Sequence, residues 1–586
     1  MNLTEEQEDI FYYCKKNKNK NIIILINAIA GSGKTSMLKT ISNKIFNEIS
    51  LYLAYNNSIA KESRSKFPQN VNCKTTHGLA YEYIIQEYFF ELGNLRWSHI
   101  EENISYLDKN KVLEYLKEYF LSKYLHWEDY SKDMKINQNI INSGNNIINK
   151  MLSGKIPMSF DYSLKLFHLY LNQNHQYMNK LDILMLDEAG DLNEVTLEIF
   201  KLIPAKLKIA VGDKFQNIYG FNHTINCFNL LEGKTFSMTQ SFRVSVKIAK
   251  QIEYFFKKYL NNDFAFKGTE KDEEINSRVY ITRTNASLIR KINELQEKGI
   301  SYKLIRDVND IFKIPIMITE LKYKGQIEDP HYYFLQDFVN NFYENKINIY
   351  KKDNNISKKD NTKYIKYIEE KYYDELIKTI TKTFHEDIEI ISAISLIKKM
   401  KKDKIKSTYK KVMEDKIVNE ENVLFLTTAH SSKGLEFDEV ILDDDIDKAV
   451  AKVMLNKTSF KEEKNKIIEK FNNQYFYKKE KILRIYNKKY QKLINENNSE
   501  ELINKEILLC NEKIKNEENI KNIKIEKSLL DIEVKVIEKE KEYNSELNLY
   551  YVACTRASKS LKNAKILFFN DLDNEKDLSN LLINIL

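Results

Sequence analysis

Cysteine is scarce in this sequence, and the five present (Cys14, Cys73, Cys227, Cys510 and Cys554) lie far apart with no CxxC pair among them. That spacing argues against a disulfide framework and against a zinc ribbon, and it fits a reducing compartment. Long hydrophobic runs are missing too: the longest purely aliphatic one, Ile22 to Ile26, is far too short to span a bilayer. The chain opens on the acidic stretch MNLTEEQEDIF rather than on a basic, apolar leader. A soluble intracellular protein is expected, with cytoplasm and nucleus left open. Arginine is rare, nine residues in 586, whereas lysine is everywhere. Abundant Ile, Asn, Lys and Tyr suggest a drift acting on the whole chain, so Lys-rich stretches say little and each arginine says more. There is no internal repeat and no Pro/Ser-rich linker. The formal charge of +8 permits a polyanionic partner without demanding one.

At 586 residues and 42% hydrophobic content the chain is globular and exceeds what one core can serve, so several domains are expected. Strand and helix signals alternate from 21 to 80: NIIILI, a helix over Thr35 to Phe46, LYLAY, and SIAKESRSKF. Such βα alternation implies a parallel sheet and an α/β fold. Strand signals return at LDILMLDEAG (181–190) and KLKIAVGD (206–213), completing that sheet. A second α/β pattern begins at RVYITRTNAS (278–287) and resumes at NVLFLTTAH (422–430) and FDEVILDDD (437–445). The expected division is therefore 1–80 with 181–235 as one α/β domain, interrupted by a helical insertion at 81–180. A second α/β domain comprises 236–305 with 422–586, interrupted by an insertion at 306–421. Residues 351–421 and 455–545 contain neither Gly nor Pro and read as long solvated helices or helical hairpins.

Chemistry enters at AIAGSGKT (28–35). A strand ending in a Gly-rich turn that opens a helix points backbone N–H groups at an anion, and this arrangement cradles a triphosphate. Ala30, Gly31, Ser32, Gly33 and Ser36 frame the loop, Lys34 reaches the β and γ oxygens, and the Thr35 hydroxyl binds Mg²⁺. The pattern departs from the usual one at Ala28, where Gly is common. In ILMLDEAGDL (183–192) a strand delivers Asp187 to the metal and Glu188 beside it, placed to activate a water. In VGDKFQNIYGF (211–221), Gln216 is placed to sense the γ-phosphate or position water. Tyr219 and Phe221 follow, either as core or as a stacking platform worth about 1–3 kcal/mol per base, and core is expected for at least one of them.

The series resembles the superfamily 1A helicases of the UvrD/Rep type from end to end. LTEEQ (3–7) resembles the adenine-reading Q motif, AIAGSGKT motif I, AYNNSIAKES (54–63) motif Ia and TTHGLA (75–80) motif Ib. LDEAGD (186–191) is similar to motif II, VGDKFQNIYGF to motif III, MTQSFR (238–243) to motif IV and ITRTNA (281–286) to motif IVa. TTAHSSKGLEFDEVILDDD (427–445) resembles motif V, and NLYYVACTRA (548–557) motif VI. The phrasing is similar to the helicase core of the F-box DNA helicases. The Q motif begins at residue 3, so no F-box is expected before it, and about 30 residues after motif VI no fused nuclease is expected.

That resemblance implies two RecA-like domains, 1A and 2A, with insertions 1B and 2B and ATP bound between. It makes Arg243 and Arg556 arginine fingers, Phe242 the adenine stack, Gln7 the reader of the adenine edge, and Glu436 part of the nucleotide and coupling region. Tyr55, Asn57, His77, Tyr219, Phe221, Arg283 and His430 become contacts to single-stranded DNA. The implied activity is ATP- and Mg²⁺-dependent 3′→5′ movement on single-stranded DNA with unwinding at duplex junctions, in replication, repair or control of recombination. The rivals are a translocase that strips proteins from DNA with weak unwinding, a preference for RNA, and a nucleotide-binding scaffold with vestigial ATPase. Gly190 stands where Gln is usual in motif II and Asn222 where motif III often has Arg. The first removes a side chain that would couple the ATP site to the strand. The 455–545 insertion has no counterpart in the family; its neighbourhood, 451–545, holds 22 basic and 17 acidic residues and is no obvious nucleic-acid clamp.

Overall fold

A computed structural model describes the chain except for residues 1–2, 46–48, 97–98, 102–105, 175–180, 219–225, 326, 328–331, 354–363, 386, 415–422, 496–499 and 570–573. It divides into two units, one of 1–445 with 548–567 and one of 446–547 with 568–586.

The first unit holds two parallel sheets. One contains β1 (Ile22–Ala28), β2 (Ser50–Ala54), β3 (Val71–Thr75), β4 (Leu181–Leu186), β5 (Ala205–Gly212) and β6 (Lys234–Met238), in the order β3-β2-β4-β5-β1-β6. β4 is buried along its whole length and β1 at Ile24–Ile26 and Ala28, which is why both read as apolar runs: helices cover both faces of a parallel sheet. Two cores flank it. One gathers Ile24, Ile26, Met37, Leu38 and Ile41, and the other joins Leu25, Leu53, Leu184 and Leu186 to the helices of 81–174, including Trp127 and Phe167. A strand pair of β7 (Gln240–Ser245) and β8 (Lys267–Thr269) follows. The second sheet contains β9 (Arg278–Thr282), β10 (Tyr302–Leu304), β11 (Leu424–Thr428), β12 (Phe437–Leu442) and β13 (Ala557–Lys562), in the order β10-β11-β9-β12-β13. Every pairing in both sheets is parallel. The α/β class read from the sequence is the one observed.

β6 pairs with β1 through Met238, so the first sheet runs past the boundary expected at 235. Helix starts fall where short polar side chains can cap them: Asn56, Thr75, Asn193, Thr284 and Asp387 each accept a bond from a first-turn N–H.

In the second unit, the Gly-free and Pro-free stretch forms most of two long helices, Asp444–Asn495 and Glu500–Cys554. Within the unit they pair by Lys478–Glu517 (2.7 Å) and Lys489–Glu506 (3.5 Å). Such exposed pairs contribute about 0–1 kcal/mol each, so they fix register more than stability. Among the described residues no helix is long and apolar enough to cross a membrane.

Candidate functional site

The first contacts are set by the N-terminal helix Glu5–Asn17. Thr4 and Gln7 form a reciprocal capping box, and the same Gln7 amide donates to the Ser32 carbonyl at 3.2 Å. The cap thus fastens the helix to the phosphate loop. Glu6, absent from the sequence reading, accepts from the Thr239 N–H at 2.7 Å and from its hydroxyl at 2.5 Å, tying the helix to the start of β7 as well.

Gly31 and Gly33 adopt φ of +73° and +84°, the left-handed region that glycine enters without penalty. A Cβ on Gly31 would also lie 2.4 Å from Cβ of Arg243, so β7 and the loop approach closer than any side chain permits. The Phe242 N–H donates to the Gly31 carbonyl at 2.9 Å, and the Ser241 hydroxyl to the Ala30 carbonyl at 2.8 Å. The Gly33 Cα faces Gln7 and the Phe242 ring, whose atoms a Cβ would meet at 3.5–3.9 Å. Phe242 is 42% exposed, an aromatic face open beside the loop. Thr35 and Ser36 begin the helix Lys34–Ile45, whose positive end faces the same space.

Opposite, Asp187 and Glu188 follow β4. Asp187 accepts from the Tyr52 hydroxyl (2.5 Å) and from the Glu188 N–H (2.8 Å), and burial, then the neighbouring Glu188, push its carboxyl up. Glu188 sits at φ +51°, a conformation that costs a non-glycine residue about 1–2 kcal/mol and is common at functional sites. Its carboxylate lies 3.0 Å from the Lys34 ammonium. Burial alone would raise the Glu188 carboxyl; Lys34, then Lys433, outweigh it and hold it at about 2.

Gln216 is buried, and its amide donates to Asp213 at 2.8 Å. The same Asp213 oxygen accepts from the Tyr551 hydroxyl at 2.8 Å, and that hydroxyl accepts from the Ala30 N–H at 3.1 Å. One buried tyrosine of motif VI therefore joins motif III to the phosphate loop. Arg556 is also fully buried: Nε donates to the Val552 carbonyl (2.9 Å), Nη1 to the Leu435 carbonyl (3.2 Å) and Nη2 to the Thr555 hydroxyl (3.1 Å). Burial, then Arg243, pull its guanidinium down to about 9. Arg243 pairs with Glu436 at 2.8 Å. All six residues expected to be catalytic thus gather with the loop around one polar centre.

Lys433 was not singled out in the sequence, although it stands in the motif V stretch. It bonds Asp191, donates to the Gln216 carbonyl at 3.1 Å, lies 3.9 Å from Glu188 and sits 6.0 Å from the Tyr55 ring centre. It touches both the phosphate side and the expected strand track.

Gly190, read as a lost coupling residue, has a steric reason. A Cβ there would lie 2.5 Å from the Asp213 carbonyl oxygen, and a Cβ on Gly212 would lie 2.7 Å from the Gly190 nitrogen. The ends of β4 and β5 are pressed backbone to backbone, leaving no room for Gln. Gly190→Ala is accordingly expected to destabilise by about 1–3 kcal/mol through overpacking. A thermal midpoint at or above wild type would contradict this.

Of the strand contacts, Tyr55, Asn57 and His77 line one 510 Å³ cavity together with Tyr81 and Phe160. Burial pushes the His77 imidazole below its usual range, with Asp161 opposing. Arg283 and His430 lie elsewhere, past the ends of β9 and β11. Tyr219, Phe221 and Asn222 fall outside the described residues.

These residues fit a nucleotide with its metal. A glycine-rich loop opening a helix, a lysine paired with the Glu188 carboxylate and an aromatic face beside Gly33 suit the triphosphate and base; the Thr35 hydroxyl and Asp187 carboxylate supply hard oxygen donors.

A family profile described as an AAA domain matches residues 14–222. F-box DNA helicase 1 of Gallus gallus is 25% identical over 493 residues, covering 76% of this chain and 44% of the relative. F-box DNA helicase protein 1 of Schizosaccharomyces pombe is 24% identical over 501 residues, covering 76% and 53%. The chain spans about half the length of these curated relatives. A solved structure of two coordinating Pif1 helicases at forked dsDNA matches at 15% identity over 50% of this chain and 57% of that one, with a TM-score of 0.23, too low to bear on the fold.

Proposed function

We propose that this chain, a superfamily 1 helicase core related to that of the F-box DNA helicases, hydrolyses ATP with Mg²⁺ to move 3′→5′ along single-stranded DNA and open duplex junctions. The observation that carries the reading is the Lys34–Glu188 pair at 3.0 Å, with Asp187 next to Glu188 and Lys433 joining Glu188 to Gln216. Thr35 and Asp187 would hold Mg²⁺, which when bound with the triphosphate would offset its negative charge.

Lys34 turns from Glu188 to those oxygens. Glu188 then loses the neighbour that does most to hold its carboxyl down, and burial raises it toward a useful proton acceptor for water. Arg243 leaves Glu436, an exposed partner, to present a planar fork to the spreading charge, and Arg556 adds a second, already fixed. Lys433, placed against Glu188, Asp191 and Tyr55, passes the change toward the strand. The domain scheme of 1A and 2A with insertions 1B and 2B is part of this proposal.

The test is strand separation on 3′-tailed and 5′-tailed duplexes of DNA and of RNA, with ATP. Unwinding confined to the 3′-tailed DNA substrate supports the proposal. Displacement of a bound protein without unwinding favours the stripping translocase, and no nucleic-acid response at all favours the scaffold.

A further inference from the structure

In the second sheet, β10, β11 and β9 lie side by side and run parallel. Each is followed within two residues by a basic side chain: Arg306 after β10, His430 after β11 and Arg283 after β9. Ligands of open parallel sheets bind outside the carboxyl ends of the strands. In a chain with nine arginines, two meet at this one edge. Arg306 lies in none of the helicase-like motifs.

The cluster is organised. Arg306 Nη1 donates to the Asn285 side-chain oxygen at 3.5 Å, and the Asn285 amide donates to Glu389 Oε2 at 3.5 Å. Glu389 comes from the first turn of the helix Ile388–Met400. Burial pushes its carboxyl up; Arg283, then a bond from the Asn285 backbone N–H, pull it back, Asp387 pushes it up again and Arg306 lowers it. Burial, then Arg283 and Arg306, push the His430 imidazole down to about 3, so it is neutral, and it is bonded to the Ile218 backbone. The charges around the centre are two guanidinium groups and the Glu389 carboxylate, with Asp387 beside Glu389 and Asp445 accepting from the Arg283 and Thr284 N–H groups at 2.8 and 3.2 Å. A further carboxylate, Asp310, lies 3.8 Å from Arg306 but is 58% exposed. The Arg306 side chain is itself 32% exposed, within reach of a ligand in solvent.

We propose that Arg306 and Arg283 together grip one phosphodiester of the bound strand, and that Glu389 is the internal counter-ion that keeps both guanidinium groups oriented until the phosphate replaces it. Planar guanidinium forks match phosphate oxygens, and fixing them in advance lowers the ordering cost of binding. This rests on the reading of the chain as a single-strand translocase.

The test is fluorescence anisotropy of a fluorescein-labelled oligothymidylate over a range of salt concentrations. One phosphate contact on a single strand contributes about 0.7 to the slope of log affinity against log salt, about fivefold at 0.1 M. Arg306→Ala is expected to lose that slope and that factor, Arg306→Lys to recover part of both, and Arg484→Ala, a surface control, to match wild type. Glu389→Gln, which keeps shape and can still accept from Asn285, is expected to bind several-fold tighter. An unchanged slope in Arg306→Ala overturns the contact, even if affinity falls. Weaker binding by Glu389→Gln overturns the counter-ion role. Failure of the wild type to bind the oligonucleotide overturns the translocase reading instead.

Discussion

Glu188→Gln is expected to lower strand-stimulated ATP hydrolysis by about 10²- to 10⁴-fold, the range a positioned proton acceptor contributes, while the protein stays folded. Glutamine keeps the size of the side chain and an oxygen for the Lys34 ammonium, now 3.0 Å away. It loses the charge of the carboxylate and with it the ability to take a proton. Two observations focus the expectation on this residue. Glu188 holds a left-handed backbone at φ +51°, a cost that the rest of the site must offset. Its neighbour Asp187 is already committed to Tyr52 and to the Glu188 N–H, and so is less free to act as a base. Lys34→Ala should be similarly inactive by removing the phosphate grip. Turnover within a few-fold of wild type in Glu188→Gln, with unchanged circular dichroism, would remove Glu188 from the chemistry.

Arg243→Lys is expected to cost about 10³-fold or more in kcat, with a far smaller change in the KM for ATP. A finger that acts on the charge of phosphoryl transfer is worth about 10³–10⁵, and a lysine keeps the charge but loses the fork. Arg243 is the cleaner of the two positions to change. Arg556 is buried with Nε, Nη1 and Nη2 all bonded inside the protein, so its replacement disturbs the fold together with the chemistry. Arg243 has the half-exposed Glu436 as its side-chain partner, and its Cβ abuts Gly31, so the head group can change while the backbone is held. Equal falls in kcat and kcat/KM mark an interaction made in the transition state. A variant that raised KM alone would instead make Arg243 a ground-state ligand.

The phosphate loop and the acidic pair were legible because their chemistry is local: a strand, a turn and a helix consecutive in the chain over 22–45, or two carboxylates at a strand end. β1 and β4 were legible because burial on both faces writes itself as an apolar run. β6 was not, since only Met238 of Lys234–Met238 is fully buried and the strand exists through its pairing with β1. The contacts that join the motifs are equally invisible along the chain. Tyr551 reaches Ala30 across 521 positions and Lys433 reaches Asp191 across 242; folding alone brings them together. Gly190 has a second reason that the sequence does not carry: the Asp213 carbonyl comes too close to leave room for a side chain. Arg306 became visible only when three strand ends were seen side by side. For Tyr219 and Phe221 the choice between core and stacking platform lies outside the described residues.

The central claim is that this fuel pocket answers to a threaded strand. The most direct measurement is the rate of ATP hydrolysis by the purified chain as a single-stranded DNA oligonucleotide is titrated in. The account predicts a saturable rise that Glu188→Gln abolishes. A rate that stays flat across the titration, with the oligonucleotide shown to be bound, would contradict it.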